Sequence, residues 1–198
     1  MKVENNEMDI IFLLDRSGSM YGSEKDTIGG FNSLIKKKKK DKINAKVTTV
    51  LFDHEYEMLY KRKSIWDIND LTENEYNVRG TTSLLDAIGK TILTMQKKVN
   101  EKVLFVITTD GYENSSKEFT KTQIKNMISN HDWEFIFLGA DIDSYSEATQ
   151  IGIKKSHIAN YNKSSKGIND MYESVKDLSF CIYEEREIDE KWKEKLEE

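Results

Sequence analysis

Two short apolar runs, each followed by an aspartate, constrain the fold of this chain more than any other feature. Residues 10–14 are all apolar and lead directly into Asp15, and the run at 103–109 leads into Asp110. Apolar runs without polar alternation are typical of strands buried on both faces, as in a parallel sheet covered by helices. Because open α/β sheets bind ligands beyond the carboxyl ends of their strands, both aspartates are candidate site residues.

The apolar runs alternate with segments that have the period of amphipathic helices. We expect strands at 8–14, 45–52, 56–60, 103–108, 133–138 and within 156–161. We expect helices near 28–40, 84–95, 121–130, 144–151 and 168–182. The strand at 56–60 follows a turn at 53–55 and would return antiparallel at an edge. This alternation predicts an α/β fold with a mostly parallel central sheet, one antiparallel edge strand and helices on both faces.

The length of 198 residues predicts a single domain over 1–198, because it suffices for one substantial core but not for two. We place the core at about residues 8–183. After about Glu184 the chain is nearly all charged, and we expect a helical extension or a tail over 184–198. No internal repeat or linker divides the chain.

The charge balance gives no reason to expect a nucleic-acid partner, because 30 basic residues are mixed with 35 acidic ones. No apolar stretch approaches the roughly 20 residues of a membrane span. The first seven residues lack the apolar segment of a secretory signal. The single cysteine, Cys181, agrees with a reducing cytosol. We therefore expect a cytoplasmic protein without a membrane span.

Oxygen-bearing side chains cluster in three segments that follow or precede the predicted elements. Asp15 is followed at two-residue steps by Ser17 and Ser19, so a carboxylate and two hydroxyls can project toward one point. Residues 80–82 (Gly-Thr-Thr) bring another hydroxyl to a helix start, and Asp110 brings a second carboxylate. Such hard oxygen donors suit a magnesium-like cation, which takes six ligands. Five donors would leave its sixth position open.

The same three segments resemble the motifs of the von Willebrand factor type A (vWA) domain. Residues 15–19 have that family's Asp-x-Ser-x-Ser form, residues 80–87 look like its threonine loop, and residues 108–111 look like its third loop. Order and approximate spacing agree over roughly residues 8–182. The resemblance implies a Rossmann-like vWA fold with an intact metal-ion-dependent adhesion site (MIDAS), of the intracellular type found in bacteria or phages.

Carried over by position, the resemblance implies five metal ligands. Ser17, Ser19 and Thr82 would bind the cation directly, whereas Asp15 and Asp110 would bind directly or through water. Thr82 is preferred to its neighbour because it stands two residues before the segment that resembles the family's helix start. The expected cation is Mg²⁺, with Mn²⁺ or Ca²⁺ as alternatives.

The resemblance also implies a function in protein binding rather than catalysis. Family members capture a Glu or Asp of a partner protein through the cation. Bacterial intracellular relatives often act beside ring-forming ATPases or in stress responses, so an AAA+ ATPase or a stress-response protein is a candidate partner by analogy.

Two alternatives remain open. One is a magnesium-dependent phosphoryl-transfer enzyme or hydrolase that uses Asp15 and Asp110. Against it, the chain has no phosphate-binding Gly-rich fingerprint and no Gly-x-Ser-x-Gly nucleophile elbow. The other is a structural vWA domain whose site is unused.

Two further aspartates, Asp141 and Asp143, follow the fifth predicted strand at the same edge of the sheet. They would either form part of the rim of the metal crevice or cap the helix that begins near Ser144. We favour capping for both.

Overall fold

The computed structural model describes residues 7–99 and 102–197, which form a six-stranded sheet with helices on both faces. The strands are β1 (Met8–Asp15), β2 (Ala45–Phe52), β3 (Tyr56–Ser64), β4 (Val103–Thr109), β5 (Glu134–Gly139) and β6 (Ile158–Asn160). The helices are α1 (Glu24–Lys40), α2 (Leu84–Met95), α3 (Lys121–Ser129), α4 (Ser144–Gln150), α5 (Ser165–Tyr183) and the short α6 (Glu194–Glu197).

The strand order is β3-β2-β1-β4-β5-β6, and every neighbouring pair is parallel except β2 with β3. The predicted fold class is therefore confirmed. Strand β3 continues to Ser64, beyond its predicted end at residue 60. A bulge near Arg62, which has a positive φ of 46°, lets the strand resume pairing as far as Lys46 opposite Ser64.

Residues 10–14 of strand β1 are apolar without interruption because helices cover both faces of the strand. Ile10 and Phe12 belong to the core cluster beneath α1 and α5. Ile11 and Leu13 belong to the cluster on the opposite face, beneath α2, α3 and α4. None of the helices in the described part of the chain combines the length and the apolar character that a membrane crossing requires.

The topology places a crevice between the carboxyl ends of β1 and β4. From β1 the chain moves outward through β2 and β3, then crosses to β4 and continues outward in the other direction. In open sheets the strand pair at which the order reverses is where ligands bind. Asp15 is the last residue of β1 and Asp110 follows β4, so both aspartates lie at this switch point.

The charged segment after α5 folds back onto the edge of the sheet. Glu185, two residues after the end of α5, adopts a left-handed backbone conformation with φ of 55°. The indole N–H of Trp192 then donates to the carbonyl of Ser156 at 2.9 Å, and Lys193 Nζ donates to the hydroxyl of Tyr145 at 3.1 Å. These contacts hold the segment against α4 and the residues before β6.

One buried lysine lies between the helices on the α1 and α5 face. Lys38 is 1% exposed, and its ammonium donates a hydrogen bond to the hydroxyl of Ser179 on α5. Burial penalises the charged form and lowers the pKa of Lys38 to about 7. At neutral pH and below, the fold therefore contains a poorly solvated charge.

Lys38→Met is expected to stabilise the protein near pH 6 and to have a smaller effect near pH 10. The folded state releases the Lys38 proton near pH 7, whereas the unfolded chain holds it up to its ordinary pKa of 10.5. The unfolded state thus binds more protons in this interval, so wild-type stability rises with pH. Near pH 6 the free energy of unfolding of Lys38→Met should exceed that of the wild type by an amount on the order of 3 kcal/mol. Each unit of the pKa shift corresponds to about 1.4 kcal/mol, and loss of the hydrogen bond to Ser179 offsets part of this gain.

Urea unfolding from about pH 6 to about pH 10 measures this difference. Lys40→Met, which removes an exposed lysine from the same helix, is the matched control and should show no such pH dependence. If the free energies of unfolding of the wild type and Lys38→Met differ by the same amount at every pH, the prediction is contradicted.

Candidate metal centre

The loop after β1 is organised by the carboxylate of Asp15, which is fully buried. Its Oδ1 accepts the backbone N–H of Ser17 at 2.7 Å, and its Oδ2 accepts the hydroxyl of Thr109 at 2.6 Å. The first bond turns the chain back toward the strand end, and the second joins the loop to β4. In this turn the hydroxyl oxygens of Ser17 and Ser19 lie 3.1 Å apart.

The second carboxylate reaches the same place from β4. Asp110 follows the strand directly, and its side chain has no solvent exposure. Its Oδ1 accepts a hydrogen bond from the hydroxyl of Ser19 at 2.5 Å. The parallel pairing of β1 and β4 brings these residues together although they are 91 positions apart in sequence.

The third segment contributes Thr82, which is buried, whereas Thr81 is exposed. Asn114 forms hydrogen bonds with both the backbone N–H and the backbone carbonyl of Thr82. The side-chain oxygen of Asn114 accepts the N–H of Thr82 at 2.9 Å, and the N–H of Asn114 donates to the carbonyl of Thr82 at 3.1 Å. Of the two adjacent threonines, Thr82 is therefore the one directed into the crevice.

Three hydroxyls converge beside Gly111. A Cβ atom added at Gly111 would lie 2.7 Å from Thr82 Oγ1, 3.1 Å from Ser19 Oγ and 3.5 Å from Ser17 Oγ. All three oxygens are thus within 3.5 Å of one point, which any side chain at residue 111 would fill. The structure brings together all five residues selected from the sequence.

The donor set fits a hard divalent cation. In the described ranges 7–99 and 102–197, no group of three or more His, Cys, Asp or Glu side chains is arranged to hold a metal ion. A metal at the crevice would instead depend on neutral hydroxyls together with the carboxylates of Asp15 and Asp110. Oxygen donors of this kind suit Mg²⁺, Mn²⁺ and Ca²⁺, whereas zinc sites are usually built from nitrogen and sulfur.

The protein itself compensates the charge of Asp15 poorly. Burial raises the pKa of Asp15 to about 6, and the negative charge of Asp110 adds to the increase. Hydrogen bonds from Thr109 and Ser17 act in the opposite direction without cancelling the effect. A positive charge in the crevice would therefore relieve an unfavourable electrostatic environment.

The threonine loop is held against the β1 loop by close backbone contact. The N–H of Gly18 donates to the carbonyl of Gly80 at 3.0 Å, and a Cβ on Gly18 would approach that oxygen to 3.2 Å. Gly80 has a positive φ of 68°, which favours glycine at this turn. Glycine at both positions thus permits the two loops to meet.

A partly buried ion-pair network reinforces the same junction. The Nε atoms of Arg16 and Arg79 lie 2.9 Å and 3.0 Å from Asp53 Oδ2, and the N–H of Arg79 donates to the carbonyl of Arg16 at 2.8 Å. Burial acts to raise the pKa of Asp53, but the hydrogen bonds from Arg79 and the Glu55 N–H and the charge of Arg16 lower it below its ordinary value. The network fixes the β1 loop relative to the threonine loop.

Sequence reasoning missed these supporting residues. Asp53 carried the same signal as the predicted ligands, since it directly follows the apolar strand β2. Arg79 and Asn114 lie in polar stretches without a distinctive pattern, and so does Lys163, whose ammonium lies 2.6 Å from Asp110 Oδ2. Their roles depend on contacts between distant loops.

The two aspartates after β5 have different positions. Asp143 caps α4, because its Oδ1 accepts the N–H of Ser146 at 2.9 Å. The capping prediction was wrong for Asp141, which has a positive φ of 55° and lies at the rim of the crevice. The left-handed conformation turns its exposed carboxylate toward Lys163, at 3.9 Å.

The crevice is open to solvent. It forms a shallow depression of about 340 Å³ in which Ser19 and Thr81 are exposed, and the half-exposed ring of Tyr112 stands at its rim. A larger groove of about 520 Å³ lies beside Glu134 and His157. Glu134 is the first residue of β5, so this groove lies at the amino ends of the parallel strands, opposite the crevice. The groove lies away from the hydroxyls, so the smaller depression is the candidate site.

Solved structures with the same fold are distant in sequence. Proximal thread matrix protein 1 (PTMP1) from the mussel byssus is 16% identical, with a TM-score of 0.66 over 87% of this chain and 46% of that chain. A PTMP1 structure described as having a zinc occupied MIDAS motif is 15% identical, with a TM-score of 0.63 over 86% of this chain and 45% of that one. The D319A mutant of the PilB minor pilin from Streptococcus sanguinis is 12% identical, with a TM-score of 0.68 over 92% and 64%, respectively.

This chain spans roughly half to two thirds of the length of those structures, and at such identities the likeness concerns the fold. No curated protein matches the sequence. A family model described as the von Willebrand factor type A domain matches residues 9–174, which is most of the chain. The chain therefore belongs to the von Willebrand factor type A domain family, whose members are metal-dependent adhesion and protein-interaction modules.

Proposed function

We propose that this vWA domain is a divalent-metal-dependent protein-binding module. Its cation would be held directly by Ser17, Ser19 and Thr82, and by the two carboxylates of Asp15 and Asp110 directly or through water. A Glu or Asp of a partner protein would complete the coordination. The observation that carries this proposal is the convergence of three hydroxyl oxygens within 3.5 Å of one point beside Gly111.

The donor chemistry supports capture of an acidic residue. A bound Mg²⁺ would supply an electrophilic centre that attracts a further carboxylate. Hydroxyl ligands from Ser17, Ser19 and Thr82 are neutral and neutralise little of the charge of such an ion. The two carboxylates of Asp15 and Asp110 are buried and point inward, so the solvent-exposed side of the depression is left for a partner.

The geometry favours binding over the enzymatic alternative. A nucleophilic aspartate must reach its substrate, but Asp15 is fully buried and both of its oxygens accept hydrogen bonds, from Ser17 and Thr109. Asp110 is committed to Ser19 through one oxygen and lies against Lys163 through the other. We therefore propose a non-enzymatic module.

A site that binds a metal is also favoured over a structural domain whose site is unused. The ionised form of the buried Asp15 side chain is unfavourable at neutral pH, as its raised pKa indicates. A cation bound beside it would compensate this cost, whereas an unused site would retain it without benefit.

The physiological cation, the partner and the location stay predictions. Oxygen donors favour Mg²⁺, with Mn²⁺ and Ca²⁺ as alternatives. The zinc in the MIDAS motif of one PTMP1 structure adds Zn²⁺ to the ions that need testing. An AAA+ ATPase or stress-response protein as partner rests on the resemblance to intracellular bacterial relatives. A cytoplasmic location rests on the single cysteine, Cys181, which agrees with a reducing cytosol.

Asp15→Asn is expected to stabilise the metal-free protein and to abolish its stabilisation by Mg²⁺. In chelator it should raise the melting temperature, because it removes a buried charge. The amide oxygen can still accept the N–H of Ser17, and the amide NH2 can donate to Thr109 once that hydroxyl donates to the carbonyl of Gly111 instead. In Mg²⁺ the wild type should gain about 2.7 kcal/mol at about 100 times Kd. That gain corresponds to roughly 5–10 °C for a chain of this size. The variant should gain nothing.

Thermal unfolding of both proteins in chelator and in Mg²⁺, Mn²⁺, Ca²⁺ or Zn²⁺ tests this prediction. Asp67→Asn removes an exposed carboxylate outside the crevice and should keep the wild-type response. If no cation stabilises the wild type, or if Asp15→Asn responds as strongly as the wild type, the metal site is refuted.

Peptides selected from a random displayed library on the Mg²⁺-loaded domain should share an essential Asp or Glu. Replacing that residue by the matching amide is expected to abolish binding, because an amide cannot supply the negative oxygen ligand. Chelator and the Asp15→Asn variant should abolish binding as well. Isothermal titration of the selected peptides and their amide variants gives the affinities. Peptides that bind equally well without acidic residues, or in chelator, would contradict acidic-residue capture.

A further inference from the structure

A lysine lies directly behind one of the proposed metal ligands. Lys163 belongs to the short connection between β6 and α5, and its side chain is 25% exposed. Its ammonium lies 2.6 Å from Asp110 Oδ2 and donates to the backbone carbonyl of Ser19 at 2.8 Å. It also lies 3.9 Å from the exposed carboxylate of Asp141.

The two oxygens of Asp110 therefore face different neighbours. Oδ1 accepts the hydroxyl of Ser19, which belongs to the group of hydroxyls that converge beside Gly111. Oδ2 faces the ammonium of Lys163. The carboxylate thus contacts the group of hydroxyls through one oxygen and the ammonium of Lys163 through the other.

The connection that carries Lys163 is firmly held. The N–H of Tyr161 donates to the carbonyl of Gly139 at 2.9 Å, and the Asn162 side chain accepts the N–H of Ser164 at 2.8 Å. Ser164 in turn caps α5 by accepting the N–H of Gly167 at 3.1 Å. Lys163 is therefore fixed on both sides, and its contact with Asp110 joins the beginning of α5 to the metal crevice.

We propose that Lys163 is a built-in counter-ion that sets the cation affinity of this site, an inference that rests on the proposed metal function. The ammonium neutralises part of the charge of Asp110 and repels a divalent cation beside it. The site then holds its cation less tightly than two carboxylates alone would, and more of the positive charge of the cation remains for a carboxylate of the partner. Lys163 is an affinity-setting and positioning residue, not a ligand.

Lys163→Met tests the proposal through direct metal binding. The variant should bind Mg²⁺ and Mn²⁺ about ten times more tightly than the wild type, because the repulsive charge is gone. Isothermal titration measures the affinity for both ions. Electron paramagnetic resonance of free Mn²⁺ independently measures how much Mn²⁺ is bound. In chelator the same variant should melt at a lower temperature than the wild type, since the buried carboxylate of Asp110 loses its counter-ion.

Three further variants complete the experiment. Lys163→Gln keeps a hydrogen-bond donor without the charge, so it should bind cations as tightly as Lys163→Met and serves if the methionine variant fails to fold. Lys163→Arg keeps the charge and should stay close to the wild-type affinity. Lys125→Met removes an exposed lysine from α3 and controls for the change in net charge.

The outcomes separate this inference from the function on which it rests. If the wild type binds cations but both neutral variants bind them equally or more weakly, the counter-ion role is overturned while the metal site stands. If neither the wild type nor any variant binds a cation at millimolar concentration, both proposals are overturned. Tighter binding by both neutral variants, with Lys125→Met unchanged, supports the counter-ion.

Discussion

The hydrogen bond from Thr109 to Asp15 is the contact on which the candidate site depends. It joins the ends of β1 and β4, the two strands between which the sheet order reverses. With Asp15 held there, the N–H of Ser17 can bond its other oxygen, and the loop turns so that its two serine hydroxyls meet. Asp110 then reaches the same point from β4. One carboxylate thus organises the loop and would also help hold the cation.

Charge is distributed around the crevice in two separate groups. Arg16 and Arg79 share one oxygen of Asp53, and this partly buried network holds the β1 loop and the threonine loop together. Lys163 instead faces Asp110. The ion pairs of Asp53 fix the position of one loop relative to the other. The charge of Lys163, by contrast, acts on Asp110, which is proposed to bind a cation.

Neutral hydroxyls give this kind of site its character. Three hydroxyls would contribute oxygen ligands without adding negative charge, so the cation would remain attractive to an external carboxylate. The burial of Asp15 and Asp110 has a related consequence, since a carboxylate with little solvent around it interacts strongly with any nearby charge. The proposed site would therefore be sensitive to single charges, including that of Lys163 and that of a partner residue.

Much of the fold was predictable from local patterns. The apolar run of β1 indicated a strand covered on both faces, and alternation with helices indicated a parallel sheet, because burial of each face requires a matching periodicity. The extension of β3 to Ser64 was not predictable, since it depends on a bulge at Arg62 that the pairing with β2 selects. The ligand set was suggested by motif spacing, and its function as a metal site stays a prediction.

The amino-acid sequence by itself determined the strand–helix alternation, the family and the three segments that carry the candidate ligands, because each is encoded by neighbouring residues. Only the tertiary structure decided which threonine is buried, that Asp53 binds two arginines, and that Lys163 lies behind Asp110. The contact of Lys163 with Ser19 joins residues 144 positions apart. Such contacts arise from strand order and loop packing, and neither is written in the periodicity of any one segment.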